Sequence, residues 1–352
     1  MCGLLGLVSS TRDAADRVDE VVSAMQLARH RGPDETTHWG DADVVLAFQR
    51  LSIIDLETSH QPLPYPGAGQ PGDRPDEDRY RILFNGEIYN YVELRERLSR
   101  EFGAQFRTRG DTEVVVAAYR YLGEECVSAL RGMFAFLIWD THERRMFGAR
   151  DPFGIKPLYV ATDDRGVYLG SEKKSLLALL GIERDGAVDP RSLQYYLTLQ
   201  YVPEPASMHT DVRRIESGTS FTVRDGRLHT RRYFHPAFAA ADGDREQLYG
   251  RIRDALRDSV RVHMRADVTV GAFLSGGIDS TAIAALAKLE NPDLLTFTVG
   301  FERAGFSEID VAAASAEAIG VTHITTVVTP EEFAAAVPQI VWYLDDPVAD
   351  PA

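Results

Sequence analysis

Val268-Thr269-Val270-Gly271-Ala272-Phe273-Leu274, followed at once by Ser275-Gly276-Gly277-Ile278-Asp279-Ser280-Thr281, decides how the second half of the chain folds. The first part is an apolar run of strand length, and Ser280 to Leu289 reads as a helix directly after the glycines. Leu294 to Val299 reads as a second strand and Val311 to Ile319 as a second helix, entered through Ser307. That alternating order implies a parallel sheet, an α/β arrangement. In the turn, glycines let the backbone approach an anion closely, hydroxyls add donors, and the following helix N-terminus favours negative charge. The turn is suited to phosphate, yet it lacks the lysine of a G-x-x-x-x-G-K-[ST] loop. The plain alternative is a tight strand-to-helix turn in which Asp279 only complements the helix dipole.

Working back toward the N-terminus, the pattern loosens from about Glu183 to Gln247, with Pro190, Pro203, Pro205 and the Ala/Gly/Asp-rich stretch Pro236 to Asp244. The domain connection is expected there, giving residues 1–190, a connector at 191–245, and 246–352. The first part mixes short strands and helices. Val18, Val21, Val22 and Met25 share one helical face, with Arg29, His30 and Gly32 as C-terminal signals. Asp43 to Arg50, Arg81 to Phe84 and Met133 to Trp139 read as strands, and Arg144 to Gly148 and Gly166 to Gly170 border others. Asp111 reads as the cap of a helix from Thr112 to Leu122, closed by Gly123.

Met1-Cys2-Gly3-Leu4-Leu5-Gly6 begins the sequence. Methionine before so small a residue is normally removed, which would leave one residue carrying both a thiol and a free α-amine. About one α-amine in seven is free base at pH 7, against well under one lysine in a thousand. The amine could therefore take the thiol proton, directly or through a water, and the thiolate is the reactive form.

The bulk composition narrows the setting. The 352 residues are enough for two cores, and two cysteines, Cys2 and Cys126, give neither a disulfide framework nor a zinc pattern. A formal charge of −15 argues against nucleic acid or an anionic membrane as partner. No apolar stretch reaches the length of a membrane span, and no basic residue precedes Cys2 to Val8 as a secretion signal would require. A cytoplasmic enzyme is expected.

Ser-Gly-Gly-x-Asp-Ser after a strand resembles the pyrophosphate loop of the ATP pyrophosphatases, which split ATP between its α and β phosphates. Cys2 together with Arg50-Leu51-Ser52-Ile53, Asn85-Gly86-Glu87 and Gly110-Asp111 resembles the glutaminase domain of class II amidotransferases. The two in this order resemble the glutamine-hydrolysing asparagine synthetase family. The likeness extends to His30-Arg31-Gly32-Pro33-Asp34, Gly132-Met133-Phe134-Ala135-Phe136 and Gly154-Ile155-Lys156-Pro157-Leu158-Tyr159. It implies an α+β Ntn-hydrolase-like glutaminase domain of sandwiched antiparallel sheets, then an incomplete α/β parallel-sheet ATP-pyrophosphatase domain.

The resemblance also assigns roles. Cys2 would be the nucleophile, and Arg50 would hold the α-carboxylate of glutamine, as a guanidinium fork matches two carboxylate oxygens. Backbone groups of Leu51, Ser52, Ile53 and Ile54 would line that pocket, with Glu87 and Asp111 contacting the substrate amide or α-amine. The Asn85 amide and Gly86 N–H would be oxyanion donors, although Asn-Gly by itself reads as a hairpin turn. Ser275, Gly276, Gly277, Ser280 and Thr281 would hold pyrophosphate, Asp279 would ligate or orient Mg, and Leu274 and Val299 would offer backbone contacts to adenine. Glu308 and Asp310 match the family's acidic helix start.

Implied partners are glutamine, ATP and a carboxylate acceptor, aspartate first, with no nucleic acid and no membrane; a homodimer is compatible. Leu344-Asp345-Asp346-Pro347-Val348-Ala349-Asp350-Pro351-Ala352 resembles the start of an Asp-Glu-Pro segment, with Asp346 in the glutamate's place, after which family members continue. The synthetase half is therefore expected to be incomplete. Rival readings are a glutaminase fragment or related amidotransferase with another acceptor, and a noncatalytic binding fragment.

Overall fold

Alternation within single strands builds the first unit. Leu4 and Val8 face one core while Leu5 and Leu7 face another. Phe134, Phe136 and Ile138 likewise face away from Ala135, Leu137 and Trp139. Such period-two runs, buried on both faces, need cover on both sides. In the computed structural model, which describes residues 1–67, 78–183, 186, 188–239, 243–302 and 307–349, two antiparallel sheets supply it.

The first sheet contains β1 (Gly3–Ser9), β2 (Glu35–Gly40) and β3 (Val44–Arg50). The second begins with β4 (Leu63–Pro66), β5 (Asp78–Ile88), β6 (Gly132–Asp140) and β7 (Arg145–Arg150). β8 (Tyr159–Thr162), β9 (Gly166–Gly170) and β10 (Val212–Arg214) return to the first sheet, and β11 (Thr219–Arg224) and β12 (Arg227–Arg232) to the second. The orders are β10-β8-β9-β1-β3-β2 and β12-β11-β7-β6-β5-β4, six strands each.

Leu4, Leu46 and Phe48 of one sheet meet Leu83, Leu137 and Trp139 of the other in a shared core. Helix α1 (Val18–Gln26) covers the far face of the first sheet through Val21, Ala24 and Met25, and α2 (Tyr91–Phe102) and α3 (Asp111–Leu122) cover the second through Leu94, Leu98 and Val114 to Ala118. The result is four layers, helix on sheet on sheet on helix. Each fully buried large side chain contributes about 1.5 to 3 kcal/mol by leaving water.

Helices α4 (Lys173–Leu180) and α5 (Pro190–Leu199) complete this unit, α5 being capped by the Asp189 carboxylate. The expected boundary at 190 and connector at 191–245 are corrected by these elements. Residues 191–245 contain most of α5 and the strands β10, β11 and β12, which pair at sheet edges, and the compact unit runs to Pro236 with the residues from Tyr343 onward. Of the stretches read from sequence, residues 184–185, 187 and 240–242 of the loosened segment and 350–352 of the terminal motif lie outside the described residues.

The second unit, Ala237–Trp342, opens with α6 (Arg245–His263), capped by Asp244. Then come β13 (Gly271–Phe273), α7 (Ile278–Glu290), β14 (Leu295–Phe301), α8 (Ile309–Ile319), β15 (Thr322–Val328) and α9 (Pro330–Leu344), whose last residues belong to the first unit. β13, β14 and β15 pair in parallel, as the alternating order requires. The first of them is shorter than the apolar run from Val268 to Leu274, since only Gly271 to Phe273 find ladder partners on β14. Among the described residues, no helix is long and apolar enough to cross a membrane.

Candidate active site

Strand register brings Cys2 to its neighbours. β1 pairs β3 with Gly3 opposite Gln49, so Cys2 lies just past the ladder, beside Leu51. The Cys2 Sγ stands 3.4 Å from the Leu51 N–H, which can donate to it, and 3.5 Å from the Leu51 carbonyl, which can accept from the thiol. Arg31 Nε donates to the Cys2 carbonyl at 3.0 Å and fixes that end of the chain. Burial pushes the thiol up from its ordinary value, the Leu51 amide, the chain's amine and Lys156 pull it down, and Asp111 pushes it up.

Around the sulfur lies a cavity of about 280 Å³, small for a ligand pocket and suited to one amino acid rather than a nucleotide. Cys2, Arg50, Leu51, Ser52, Ile53, Ile54, Asn85, Gly86, Glu87 and Asp111 all line it. Arg50 is buried, its guanidinium donating to the carbonyls of Asp55 at 2.6 Å and Leu56 at 3.1 Å. Those bonds hold the loop after β3 against the cavity and the arginine in its wall.

Asn85 and Gly86 do not form a hairpin turn. They lie inside β5, paired with Ala135 and Phe134 of β6. A Cβ at Gly86 would meet the Met133 carbonyl oxygen at 2.2 Å, so the close approach of β6 requires glycine. Asn85 is buried, yet its Nδ2 has no hydrogen-bond partner among the described residues. An orphaned buried donor of this kind costs about 1 to 3 kcal/mol and calls for an explanation.

Asp111 is not the cap of α3. Gly110 takes that position, and Asp111, the first helical residue, accepts the Ile88 N–H at 3.0 Å. Burial raises its pKa to about 7, against the pull of that backbone bond and with a further push from Glu87. The folded carboxyl thus holds its proton up to about pH 7 and the unfolded one only to about 3.8, so stability falls as pH rises between these values. Asp111→Asn, which keeps an acceptor for Ile88, is expected to raise the melting temperature by about 2 to 8 °C at pH 8 and hardly at all at pH 4. Equal shifts at both pH values would contradict the assignment.

Sequence reasoning missed several wall residues: Ser59, Gln61, Thr112, Met133 and Lys156. Met133 and Lys156 stand in motifs that carried the resemblance, but with no role attached. Ser59 and Gln61 gave no signal, although Gln61 ties β4 to its neighbours by accepting from Phe84 N at 2.6 Å and donating to Thr112 Oγ1 at 3.3 Å.

In the second unit the turn from Ser275 to Thr281 is tightly bonded to itself. Ser275 Oγ and Ser280 Oγ are 3.0 Å apart, and Gly277 N donates to Ser275 Oγ at 3.4 Å. Gly276 has φ +78°, and a Cβ there would meet Val311 Cγ1 at 2.8 Å. The Thr281 hydroxyl is buried without a partner among the described residues. Leu274 is buried and Val299 half exposed on β14. Asp279 is exposed in the first turn of α7, and no group of three His, Cys, Asp or Glu able to hold a metal occurs among the described residues. A lone carboxylate is compatible with Mg²⁺, which keeps waters and binds through one or two carboxylates plus phosphates. Glu308 precedes α8 and Asp310 lies in its first turn, and neither caps it with a side chain. Asp346 is buried in the first unit, 2.6 Å from Lys173 Nζ, accepting Met208 N at 3.2 Å and paired with Arg214.

Two known families match the chain. The glutamine amidotransferase domain family matches residues 1–234 and the asparagine synthase family residues 251–352. The chain belongs to the glutamine-hydrolysing asparagine synthetase family. It is 55% identical to a putative glutamine-hydrolysing asparagine synthetase of Mycobacterium tuberculosis, over all of this chain and 56% of that protein. It is 46% identical to asparagine synthetase 1 of Bacillus subtilis, over all of this chain and 54% of that protein. A putative asparagine synthetase 2 of Methanocaldococcus jannaschii is 30% identical, with 99% of this chain and 69% of that protein covered. The chain spans about half the length of the first two relatives.

Proposed function

We propose that Cys2 is the nucleophile of a glutaminase in a glutamine-dependent amidotransferase. The observation that carries the reading is the Cys2 sulfur, beside the Leu51 amide, in a cavity that also presents an unpartnered Asn85 amide. With Met1 removed, the nitrogen of Cys2 becomes an α-amine in the same cavity and accepts the thiol proton. Sulfur adds to the side-chain carbonyl carbon of glutamine while the oxygen gathers charge against Asn85 and Gly86. The carbon–nitrogen bond then breaks, the proton goes to the leaving nitrogen, and ammonia departs from a glutamyl thioester. Water cleaves the thioester to glutamate and returns the thiol. Arg50 holds the α-carboxylate, the backbone of Leu51 to Ile54 lines the pocket, and Glu87 and Asp111 face the α-amine or the amide.

The proposal extends to the second unit. Ser275, Gly276, Gly277, Ser280 and Thr281 hold the pyrophosphate of ATP, Asp279 orients Mg²⁺, and the backbone of Leu274 and Val299 meets adenine. The orphaned Thr281 hydroxyl and the left-handed Gly276 support this reading. A carboxylate, aspartate in the first instance, is activated as its adenylate and takes the ammonia, with AMP and pyrophosphate leaving. The setting is the cytoplasm.

The test is ammonia release from glutamine by the purified chain, with the intact mass measured on the same preparation. Release by a chain lacking Met1 is expected. No release would favour a noncatalytic binding role, and release by a chain that keeps Met1 would overturn the α-amine step.

A further inference from the structure

Lys156 is a buried cation at the thiol site that no step above uses. Its side chain lines the cavity with Cys2 and Glu87, and the residue is only 6% exposed. Among the described residues its ammonium has no hydrogen-bond or ion-pair partner. Burying an unpaired charge is costly, so lysines are rarely placed this way without a task. Its backbone is held on both sides. Lys156 N donates to Asp151 Oδ2 at 3.0 Å, and Arg150 Nε donates to the Lys156 carbonyl at 2.8 Å. Asp151, fully buried, also accepts Phe153 N and Ile155 N at 3.0 Å, and Arg150 donates to the carbonyls of Gly154 at 2.8 Å and Ile215 at 2.6 Å. The loop after β7 is thus a rigid mount for one side chain.

We propose that Lys156 is a positioning residue of the glutaminase site, its ammonium stabilising the Cys2 thiolate from the cavity wall. The proposal rests on the glutaminase reading for its function and on geometry for its chemistry. The other charges around Cys2 are the chain's amine, Arg31, Asp34, Arg50, Glu87 and Asp111, with Asp151 behind Lys156. Burial lowers the lysine's pKa and Arg31 adds to that, while Glu87, Cys2 and Asp151 act in the opposite sense. Its loss would remove one of the positive charges that favour the thiolate, while Glu87 and Asp111 stay beside the sulfur.

The experiment follows the rate of Cys2 alkylation by iodoacetamide against pH, read by mass spectrometry on the Cys2 peptide, in the full chain with no glutamine present. Lys156→Met is expected to slow alkylation about three- to ten-fold at pH 7, with the gap closing as the thiol ionises at higher pH. Lys156→Arg, which keeps the charge, should stay within about twofold of the unsubstituted chain. If Lys156→Met does not fold, Lys156→Gln gives the same comparison. An unchanged rate at pH 7, or a gap constant across pH, overturns the proposal. So does glutaminase activity in which KM rises and kcat holds, the mark of a group that binds substrate only. Failure of the unsubstituted chain to hydrolyse glutamine would reject the glutaminase reading and leave the alkylation profile to decide the role of Lys156.

Discussion

Cys2→Ala is expected to reduce ammonia release from glutamine by about 10⁴-fold or more, to the background rate. The reason is chemical: no other thiol can take its place, because Cys126 is fully buried beneath α3, where burial holds it as an inert thiol. The cavity should survive the change. Arg31 binds the Cys2 carbonyl and Arg50 binds Asp55 and Leu56, so neither contact depends on the sulfur. A melting temperature close to that of the parent chain would separate lost chemistry from lost structure. An intact homologous synthetase carrying the same substitution should still use free ammonia, since the second activity does not need the thiol. An unchanged glutaminase rate in the variant would sink the assignment of Cys2.

Asn85→Ala is expected to lower kcat about 10²- to 10³-fold while KM changes by no more than a few-fold, the pattern for a donor that acts mainly in the transition state. Stability gives an independent check. Removing a buried group normally costs stability through the hydrogen bonds it leaves broken, but the Asn85 nitrogen has none among the described residues. A large fall in kcat with little or no fall in melting temperature is therefore the expected pair of results. If KM rises instead and kcat holds, Asn85 binds the ground state, and the oxyanion role is wrong.

The sheets and the strand-turn-helix were legible because their signals are local. The apolar run Met133 to Trp139 reports a buried strand within a few residues, and glycines and serines after an apolar run report a turn before a helix, whereas the strand Gly3–Ser9 emerged only in the structure. The end of the first unit was not legible. β10 has three residues, and β12 is exposed along nearly its whole length, so neither carries an apolar pattern strong enough to be seen before its sheet partner is known. Asn85-Gly86 illustrates the same limit: the pair has turn chemistry, and only the ladder from Tyr80 to Ile88 against β6 makes it strand.

By itself the sequence determined which residue types were available: a thiol at position 2, an arginine at the end of β3, an Asn-Gly-Glu triplet, an acidic helix start and a phosphate-type turn. Tertiary structure decided which of them share a cavity, and in what state. Cys2 reaches Leu51 through the β1–β3 register, and Asn85 reaches Cys2 only because the second sheet packs on the first. Asp111 is raised to about 7, and the pKa of Lys156 in the same wall is lowered, because burial sets the cost of charge there. Desolvation is a property of what packs around a residue, and no sequence motif encodes it directly.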